Sequence, residues 1–173
     1  MRKLIATGIL ALGTPASAEV KSSSGVGFEV QSSVTVPAAP AASYAMLGRI
    51  GEWWDPAHSY SGKGANLRLG LKAGDCFCER LDDGGSVEHM RVVQARPGSL
   101  LRLQGGLGPL QGEAVAGTLT WSLKPVAGGT QITQSYVVGG YVRGGAEKWA
   151  APVDQVLSGQ LQRLAKGLGP GGN

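Results

Sequence analysis

Several features that would assign a function directly are missing from the sequence. It has no run of lysine or arginine that could follow a phosphate backbone, so we expect no nucleic-acid partner. Beyond the N-terminus, no apolar segment reaches the roughly 20 residues that a membrane span needs. The 29 glycines follow no collagen-like or solenoid period. No set of nucleophile, base and orienting residue is visible either.

Cysteine and histidine are scarce, with two residues of each type. A metal site needs several such ligands, so only His58 and His89 could add to the cysteines, and we expect no metal. We also expect no cofactor. The glycine-rich loop at residues 105–111 follows no strand–helix dinucleotide-binding pattern and has no lysine or serine placed to bind phosphate.

The N-terminus has the pattern of a secretory signal peptide. Arg2 and Lys3 precede about ten mostly apolar residues, and Ala16 and Ala18 form an A-x-A cleavage site. We expect cleavage after Ala18, a secreted or periplasmic protein, and no stable membrane insertion after cleavage. An uncleaved anchor or a buried N-terminal helix is the alternative. The remaining chain carries 14 basic and 12 acidic residues, so its charge says little about its partner.

A single α+β domain is predicted over residues 26–169, after a flexible polar leader at residues 19–25. Phe28, Val30, Val34 and Val36 alternate with polar residues, which is typical of a half-buried strand. Two short helices broken at glycines follow. Paired glycines then separate about six further apolar runs, which predicts a meandering antiparallel sheet of six to seven strands in all.

The C-terminal region changes to helical spacing. Apolar residues recur over residues 153–168 along one stripe, which predicts a long amphipathic helix that begins at Pro152. We expect only a short turn at residues 147–150 and a flexible tail at residues 170–173. A helix laid across a curved sheet covers the apolar face of that sheet. Such an arrangement often leaves a cavity between helix and sheet, with the loop at residues 105–111 as its rim.

This order of elements resembles the START-like, or SRPBCC, helix-grip superfamily, which includes polyketide cyclase/dehydrase-like proteins. The resemblance implies a curved antiparallel sheet wrapped on the C-terminal helix, and it specifies the fold more than the chemistry. Members bind lipids, hormones or polyketides, or have no known ligand. The segments that resemble an exported bacterial subgroup are residues 36–40 (VPAAP), 53–62 (WWDPAHSYSG), 76–79 (CFCE), 85–89 (GSVEH), 107–111 (LGPLQ) and 129–130 (GT).

Aromatic and polar residues suggest where a hydrophobic ligand would bind. Indole rings offer a large apolar area with one hydrogen-bond donor, which suits a flat apolar ligand. The alternative, that the tryptophans only anchor the short helix in the core, is favoured by the usual placement of large aromatics. The candidate ligand-binding residues are Trp53, Trp54, His58, Tyr60, Glu79, Trp121 and Tyr136.

Two further groups have alternative interpretations. In a hairpin turning at residues 82–85, either Glu88 or His89 shares a side with Glu79; a polar pair on a solvated face is slightly favoured over an acid–base pair. Cys76 and Cys78 are two apart on a strand, about 6.6 Å, near the upper limit of about 6.8 Å for a disulfide. We rank two buried thiols first, a strained disulfide second and a metal site third.

The favoured function is therefore an exported protein that holds a small hydrophobic molecule, such as a lipid or a polyketide-like compound, between helix and sheet. An enzyme of the cyclase or dehydratase type is the first alternative, with His58 or Glu79 as acid or base. A protein-interaction module is the second, by resemblance to homologues of the heat-shock ATPase activator. Those act in the cytoplasm, and the predicted signal peptide argues against that role.

Overall fold

Eight antiparallel strands form one curved sheet in the computed structural model, which describes residues 17–169. The fold is α+β as predicted, with one strand more than the expected six to seven. The spatial order is β1-β2-β8-β7-β6-β5-β4-β3. The strands are β1 (Ser17–Ser24), β2 (Gly27–Val36), β3 (Leu67–Leu69), β4 (Cys76–Arg80), β5 (Ser86–Arg96), β6 (Leu100–Gln104), β7 (Ala114–Val126) and β8 (Gly129–Tyr141).

The additional strand is β1, at one edge of the sheet. It pairs with β2, with Val20 opposite Val30, so the expectation of a flexible leader at residues 19–25 is wrong for most of that segment. Residues 18–26 are all exposed. A strand that buries neither face shows no alternation of apolar and polar residues, which is why the sequence pattern missed it. Residues 1–16 of the predicted signal peptide and the predicted tail at residues 170–173 lie outside the described residues.

The short helices and the turns lie where the prolines and glycines of the sequence predicted them. Helix α1 (Pro40–Gly48) begins at a proline, and α2 (Ile50–Trp53) follows it directly. The hairpin between β7 and β8 turns at Gly128, whose φ of 81° lies in the region that only glycine adopts readily. Gly84 in the β4–β5 turn and Gly98 in the β5–β6 turn also have a positive φ. The expected meander from β3 to β8 is therefore confirmed.

The long C-terminal helix α3 (Glu147–Gly167) begins five residues before Pro152, its predicted start. Pro152 lies inside it, so the expectation that this proline opens the helix is wrong. Proline lacks an N–H group, so the helix continues through it with one backbone hydrogen bond fewer, the one to the carbonyl of Lys148. No helix within residues 17–169 is long and apolar enough to cross a membrane.

Helix α3 lies against the sheet through apolar and polar contacts. Leu157, Leu161 and Leu164 are buried in the main core. Gln134 on β8 links two elements: its Nε2 donates to the carbonyl of Leu157 at 2.8 Å, and its Oε1 accepts from the indole N–H of Trp121 at 2.8 Å. These buried hydrogen bonds set the position of the helix over the strands.

Candidate ligand-binding cavity

A cavity of about 380 Å³ lies beside the N-terminal half of α3. One wall comes from α3 itself, and the opposite walls come from the segment after α2, from β5 and β8, and from the loop after β6. Most of the lining side chains are apolar. The lining residues are Trp54, Ala57, His58, Ser59, Tyr60, His89, Leu107, Gly108, Pro109, Tyr136, Trp149, Pro152, Val153, Val156 and Leu157.

The helical wall is built by side chains that are three or four residues apart. Trp149, Pro152, Val153 and Val156 follow the i, i+3, i+4, i+7 spacing that places residues on one helix face. The apolar stripe predicted Val153 and Val156 on this face. Trp149 was missed because the segment before Pro152 was expected to be only a turn. Because the helix continues through Pro152 in both directions, the indole ring of Trp149 lies on the same face as Val153 and Val156.

The two adjacent tryptophans have different surroundings. Trp54 lines the cavity, its indole N–H donates to the carbonyl of His58 at 3.0 Å, and its ring packs on Phe77 at 5.2 Å. Trp53 points into the core, where its N–H donates to the carbonyl of Met46 at 2.9 Å. Its ring meets Trp121 edge-on at 6.3 Å. The core-anchor alternative therefore describes Trp53, whereas Trp54 both supports the fold and faces the cavity.

His89 is the polar residue in the sheet wall of the cavity, and a β-bulge places it there. Phe77 pairs with Met90 and Cys78 pairs with Glu88, which leaves His89 as the extra residue of β5. Its side chain is only 4% exposed. The imidazole lies close to two aromatic rings, with centroid distances of 4.6 Å to Phe77 and 5.8 Å to Tyr60. A bulge of this kind redirects one side chain out of the regular alternation of a strand.

Glu79 lies behind His89 and holds it through a hydrogen bond. Its Oε2 is 2.9 Å from His89 Nε2, and its two carboxylate oxygens accept the backbone N–H groups of Tyr60 and Ser61 at 3.1 Å and 2.5 Å. Glu79 as a whole is only 1% exposed. The buried pair corrects the expectation of a polar pair on a solvated face. Glu88 points outward instead, where it forms an ion pair with Arg91.

The hydrogen bonds and the burial define the charge states of the pair. Burial raises the pKa of the Glu79 carboxyl, but the hydrogen bonds from Ser61, Tyr60 and His89 outweigh it and hold the pKa below its usual value. Burial lowers the pKa of His89, and this outweighs the opposite effect of Glu79. At neutral pH an anionic Glu79 therefore faces a neutral imidazole. Because the carboxylate can only accept, the proton of that imidazole lies on Nε2.

Tyr136 forms the floor of the cavity under the loop after β6. Its hydroxyl donates to the carbonyl of Gly105 at 3.1 Å and accepts the backbone N–H of Leu107 at 3.0 Å. Burial raises the pKa of this phenol to about 12. The hydroxyl is therefore a fixed structural group that ties the loop to β8. The loop, expected as a flexible rim, contains a short 3₁₀ helix at Gly108–Gly112.

The mouth of the cavity is formed by exposed residues. Tyr60 is 53% exposed, and its hydroxyl donates to the carbonyl of Gly108 at 3.2 Å, which links the two loops at the rim. His58 is exposed and ends a 3₁₀ helix at Pro56–His58. Its carbonyl accepts from Trp54, but its imidazole makes no hydrogen bond within the described part of the chain.

The structure brings together four of the seven predicted ligand-binding residues. Trp54, His58, Tyr60 and Tyr136 line the cavity. Glu79 lies behind the wall, where its carboxylate is hydrogen-bonded to His89. Trp53 and Trp121 belong to the core and do not reach the cavity. The helical wall and His89 were missing from the predicted set. The apolar stripe on α3 indicated the helical wall, and the predicted hairpin placed His89 near Glu79.

The two cysteines form a disulfide, against the ranking that placed buried thiols first. Their Cα atoms are 5.4 Å apart, closer than the roughly 6.6 Å of an extended strand. The register shift at Phe77 and Cys78 lies at this point, and strong local twist shortens a strand. Potential ligand atoms of Cys76, Cys78 and Glu88 lie within 4.8 Å of one another, but the two sulfur atoms are bonded to each other.

Comparison with solved structures places this geometry in a known fold. A protein from Mesorhizobium loti, MLL2253, superposes with a TM-score of 0.59 at 17% identity, over 80% of this chain and 94% of that one. CalU16 from Micromonospora echinospora gives 0.59 at 12% identity, over 89% and 87%. The Aha1 dimer from Colwellia psychrerythraea gives 0.55 at 16% identity, over 84% and 98%. At these identities the likeness concerns the fold alone.

The family assignment comes from the sequence. No curated protein matches the chain. The family profile described as polyketide cyclase / dehydrase and lipid transport matches residues 27–169, from the start of β2 to the end of the described region. It therefore includes every residue that lines the cavity. With the helix-grip architecture and this match together, the chain belongs to the polyketide cyclase/dehydrase and lipid transport family of the START-like superfamily.

Proposed function

We propose that this protein binds a small hydrophobic molecule in the cavity between α3 and the sheet. The observation that carries the proposal is the cavity of about 380 Å³, whose walls are mainly aromatic and aliphatic. Ligand sites commonly measure about 300–1,000 Å³ and combine apolar walls with a few fixed polar groups. His89 and the hydroxyls of Tyr60 and Tyr136 are such groups here.

The family supports the same class of ligand. Its description names polyketide chemistry and lipid transport, and both concern molecules with large apolar surfaces. The walls of the cavity match such surfaces because Trp54, Trp149, Val153 and Val156 offer rings and branched aliphatic groups without charge. Burial of a ligand against them would remove its apolar surface from water, which is the main source of binding free energy.

Export is part of the proposal. The predicted signal peptide supports it, and the disulfide between Cys76 and Cys78 is the form that cysteines adopt in an oxidising compartment. A cell-fractionation experiment on the full-length chain, with the molecular mass of the product, would test export. We expect the product in the extracytoplasmic fraction, with Glu19 as its first residue. A full-length product in the cytoplasm would contradict this part of the proposal.

A titration with the neutral fluorescent probe N-phenyl-1-naphthylamine tests ligand binding. We expect saturable binding, with an emission increase as the probe leaves water. Val156→Trp fills the cavity from the helical wall and should weaken binding at least tenfold. Gln155→Trp adds the same side chain at the neighbouring exposed position and is the matched control. Equal affinities of the two variants, or no saturable binding to the wild type, would contradict the proposal.

An acid–base enzyme is the second candidate, and the buried pair of His89 and Glu79 favours it. In this candidate we assign to His89 the role expected of His58 or Glu79, because Glu79 already accepts three hydrogen bonds and His58 is exposed. Ring opening of 5-nitrobenzisoxazole reports a base in an apolar cavity. A rate above that of buffer, lost in His89→Gln, would support this candidate, and the absence of any such rate would argue against a proton-abstracting base.

A further inference from the structure

The polar groups around the cavity differ in whether they have partners. The hydroxyls of Tyr60 and Tyr136 donate to the carbonyls of Gly108 and Gly105. The hydroxyl of Ser59 donates to the carbonyl of Pro56 at 2.8 Å and accepts the N–H of Gly62 at 3.1 Å. These three side chains are therefore satisfied within the protein and need no ligand.

His89 is the exception among the buried lining residues. Its Nε2 is bonded to Glu79, whereas its Nδ1 makes no hydrogen bond within residues 17–169. In that region, Ser43 Oγ alone is a fully enclosed side-chain polar atom without a partner, so His89 Nδ1 is not sealed. The cavity that His89 lines is the accessible space next to it. Since Nε2 carries the proton, Nδ1 presents a lone pair that can accept a hydrogen bond.

The charges around the cavity restrict the ligand further. Its lining includes no lysine or arginine that could bind an anionic group. The carboxylate of Glu79 lies directly behind His89, 2.9 Å from its Nε2. A ligand carboxylate at Nδ1 would thus face an acceptor lone pair and a nearby negative charge, both unfavourable. A neutral hydroxyl group can donate to Nδ1 without that penalty.

We propose that His89 Nδ1 is the acceptor that selects neutral, hydroxyl-bearing hydrophobic ligands, such as phenols and alcohols, over their ethers and over carboxylates. This inference rests on the proposed function and names the ligand class for the same cavity. Glu79 is a positioning residue, because it fixes the tautomer of the imidazole and its orientation. The rings of Phe77 and Tyr60 also lie close to the imidazole, tilted by 31° and 36° from its plane.

Three biphenyl compounds of similar size test the inference by displacement of N-phenyl-1-naphthylamine at pH 7.5. 4-Phenylphenol has a hydroxyl donor, 4-methoxybiphenyl replaces it with an ether, and biphenyl-4-carboxylate carries a negative charge. We expect the phenol to bind roughly fivefold to tenfold more tightly than the ether, as a buried hydrogen bond would give. The carboxylate should bind more weakly still.

Variants of His89 separate this preference from general apolar binding. His89→Leu should abolish the difference between phenol and ether. His89→Gln keeps one donor for Glu79 and one acceptor for the ligand, so it should retain part of the preference. Glu88→Gln changes the adjacent residue, which points away from the cavity, and is the control. It should leave the preference unchanged.

The outcomes distinguish the inference from the proposed function. If the probe and both neutral compounds bind but the phenol is not preferred, the inference fails while the binding function stands. If the phenol is preferred equally by the wild type and by a folded His89→Leu variant, the inference also fails. If neither the probe nor any of the biphenyls binds, both the inference and the proposed function are overturned.

Discussion

The two halves of α3 use one apolar stripe in different ways. In the C-terminal half, Leu161 and Leu164 are fully buried against the sheet. In the N-terminal half, Val153 and Val156 are partly exposed and line the cavity. The spacing of apolar residues is helical in both halves. What differs is the surface opposite the helix, which is filled with core side chains at one end and left open at the other.

The comparison teaches that an amphipathic pattern reports which face of a helix is apolar, not whether that face is packed. A packed face contributes to stability in proportion to the apolar area it removes from water. A cavity wall keeps part of that area available for a ligand. Two hydrogen bonds of 2.8 Å hold the packed half: a buried one from Gln134 to the carbonyl of Leu157, and a partly buried one from the backbone N–H of Asp55 to Gln160. They hold the helix in place although its N-terminal half lacks close packing.

The largest expected effect distinguishes the two halves by stability. Leu161→Ala should lower the free energy of unfolding by about 3 kcal/mol, because it leaves a cavity in a closely packed core. Val156→Ala should cost about 1 kcal/mol or less, because its site already borders open space. Urea denaturation at pH 7 measures both. Equal losses would show that the two halves are packed alike.

Acidification should destabilise the protein through the buried pair of His89 and Glu79 beside the cavity. The pKa of folded His89 lies below its ordinary value of 6.5, so the unfolded chain binds the proton more readily below that pH. The contribution of neutral His89 to the free energy of unfolding is therefore complete above pH 6.5 and is lost as the pH falls below that value. The pKa of Glu79 is also lowered, from 4.5, so its effect is lost in a second window below pH 4.5.

Thermal unfolding from pH 7.5 to 3.5 measures this dependence. The loss of stability between pH 6.5 and 4.5 should be smaller in His89→Gln than in the wild type, because glutamine does not titrate. Glu88→Gln removes a neighbouring carboxylate outside the pair and is the control. A wild-type curve that is flat over this range, or identical curves for wild type and His89→Gln, would contradict the charge states assigned to the pair.

Removal of the disulfide should lower the free energy of unfolding by less than Leu161→Ala does. The loop closed by Cys76 and Cys78 is very short, so the chain-entropy argument gives at most about 2 kcal/mol. Cys76→Ser with Cys78→Ser, compared with the wild type in urea, measures this cost. Binding of N-phenyl-1-naphthylamine should change less than twofold, because neither cysteine lines the cavity. A large loss of binding with little loss of stability would show that the bond holds the cavity wall in place.

The smallest expected effect concerns the mouth. Tyr60→Phe removes the hydroxyl that bonds to Gly108 and leaves the ring in place. Because Tyr60 is largely exposed, the free energy of unfolding should change by less than about 1 kcal/mol. The dissociation rate of the probe in a stopped-flow experiment should rise a few-fold, because the two loops at the rim are no longer linked. An unchanged rate would show that the probe leaves by another route.

Alternating and helical patterns predicted most of the fold. Apolar residues such as Val30 and Leu161 recur at the spacing of a strand or a helix. Which of their faces is buried can therefore be predicted from the sequence. Residues 18–24 of β1 are all exposed and show no such pattern. The start of α3 was misplaced because Pro152 was given its usual role at a helix end. Its ring instead lies on the cavity side of an extended helix, where it costs one hydrogen bond.

The site was less predictable because it depends on contacts between distant segments. The sequence does not distinguish the adjacent residues Trp53 and Trp54. The packing of Trp53 against Trp121 decides which of the two points into the core. His89 faces Glu79 because of a bulge that no local pattern announces. The turn at residues 82–85 nevertheless predicted that Glu79 lies near Glu88 and His89, and it left open which of these two shares its side. Burial of the pair of Glu79 and His89 was beyond what strand pairing predicts.

The four tryptophans allow the most direct test of the central claim, that this cavity is where a hydrophobic ligand binds. Trp54 and Trp149 line it, whereas Trp53 and Trp121 lie in the core. Their indole N–H signals can be followed in a ¹⁵N-labelled protein by NMR as N-phenyl-1-naphthylamine is added. We expect large, saturable shifts for Trp54 and Trp149 and much smaller ones for Trp53 and Trp121. Saturable probe binding that leaves Trp54 and Trp149 unshifted would contradict the account.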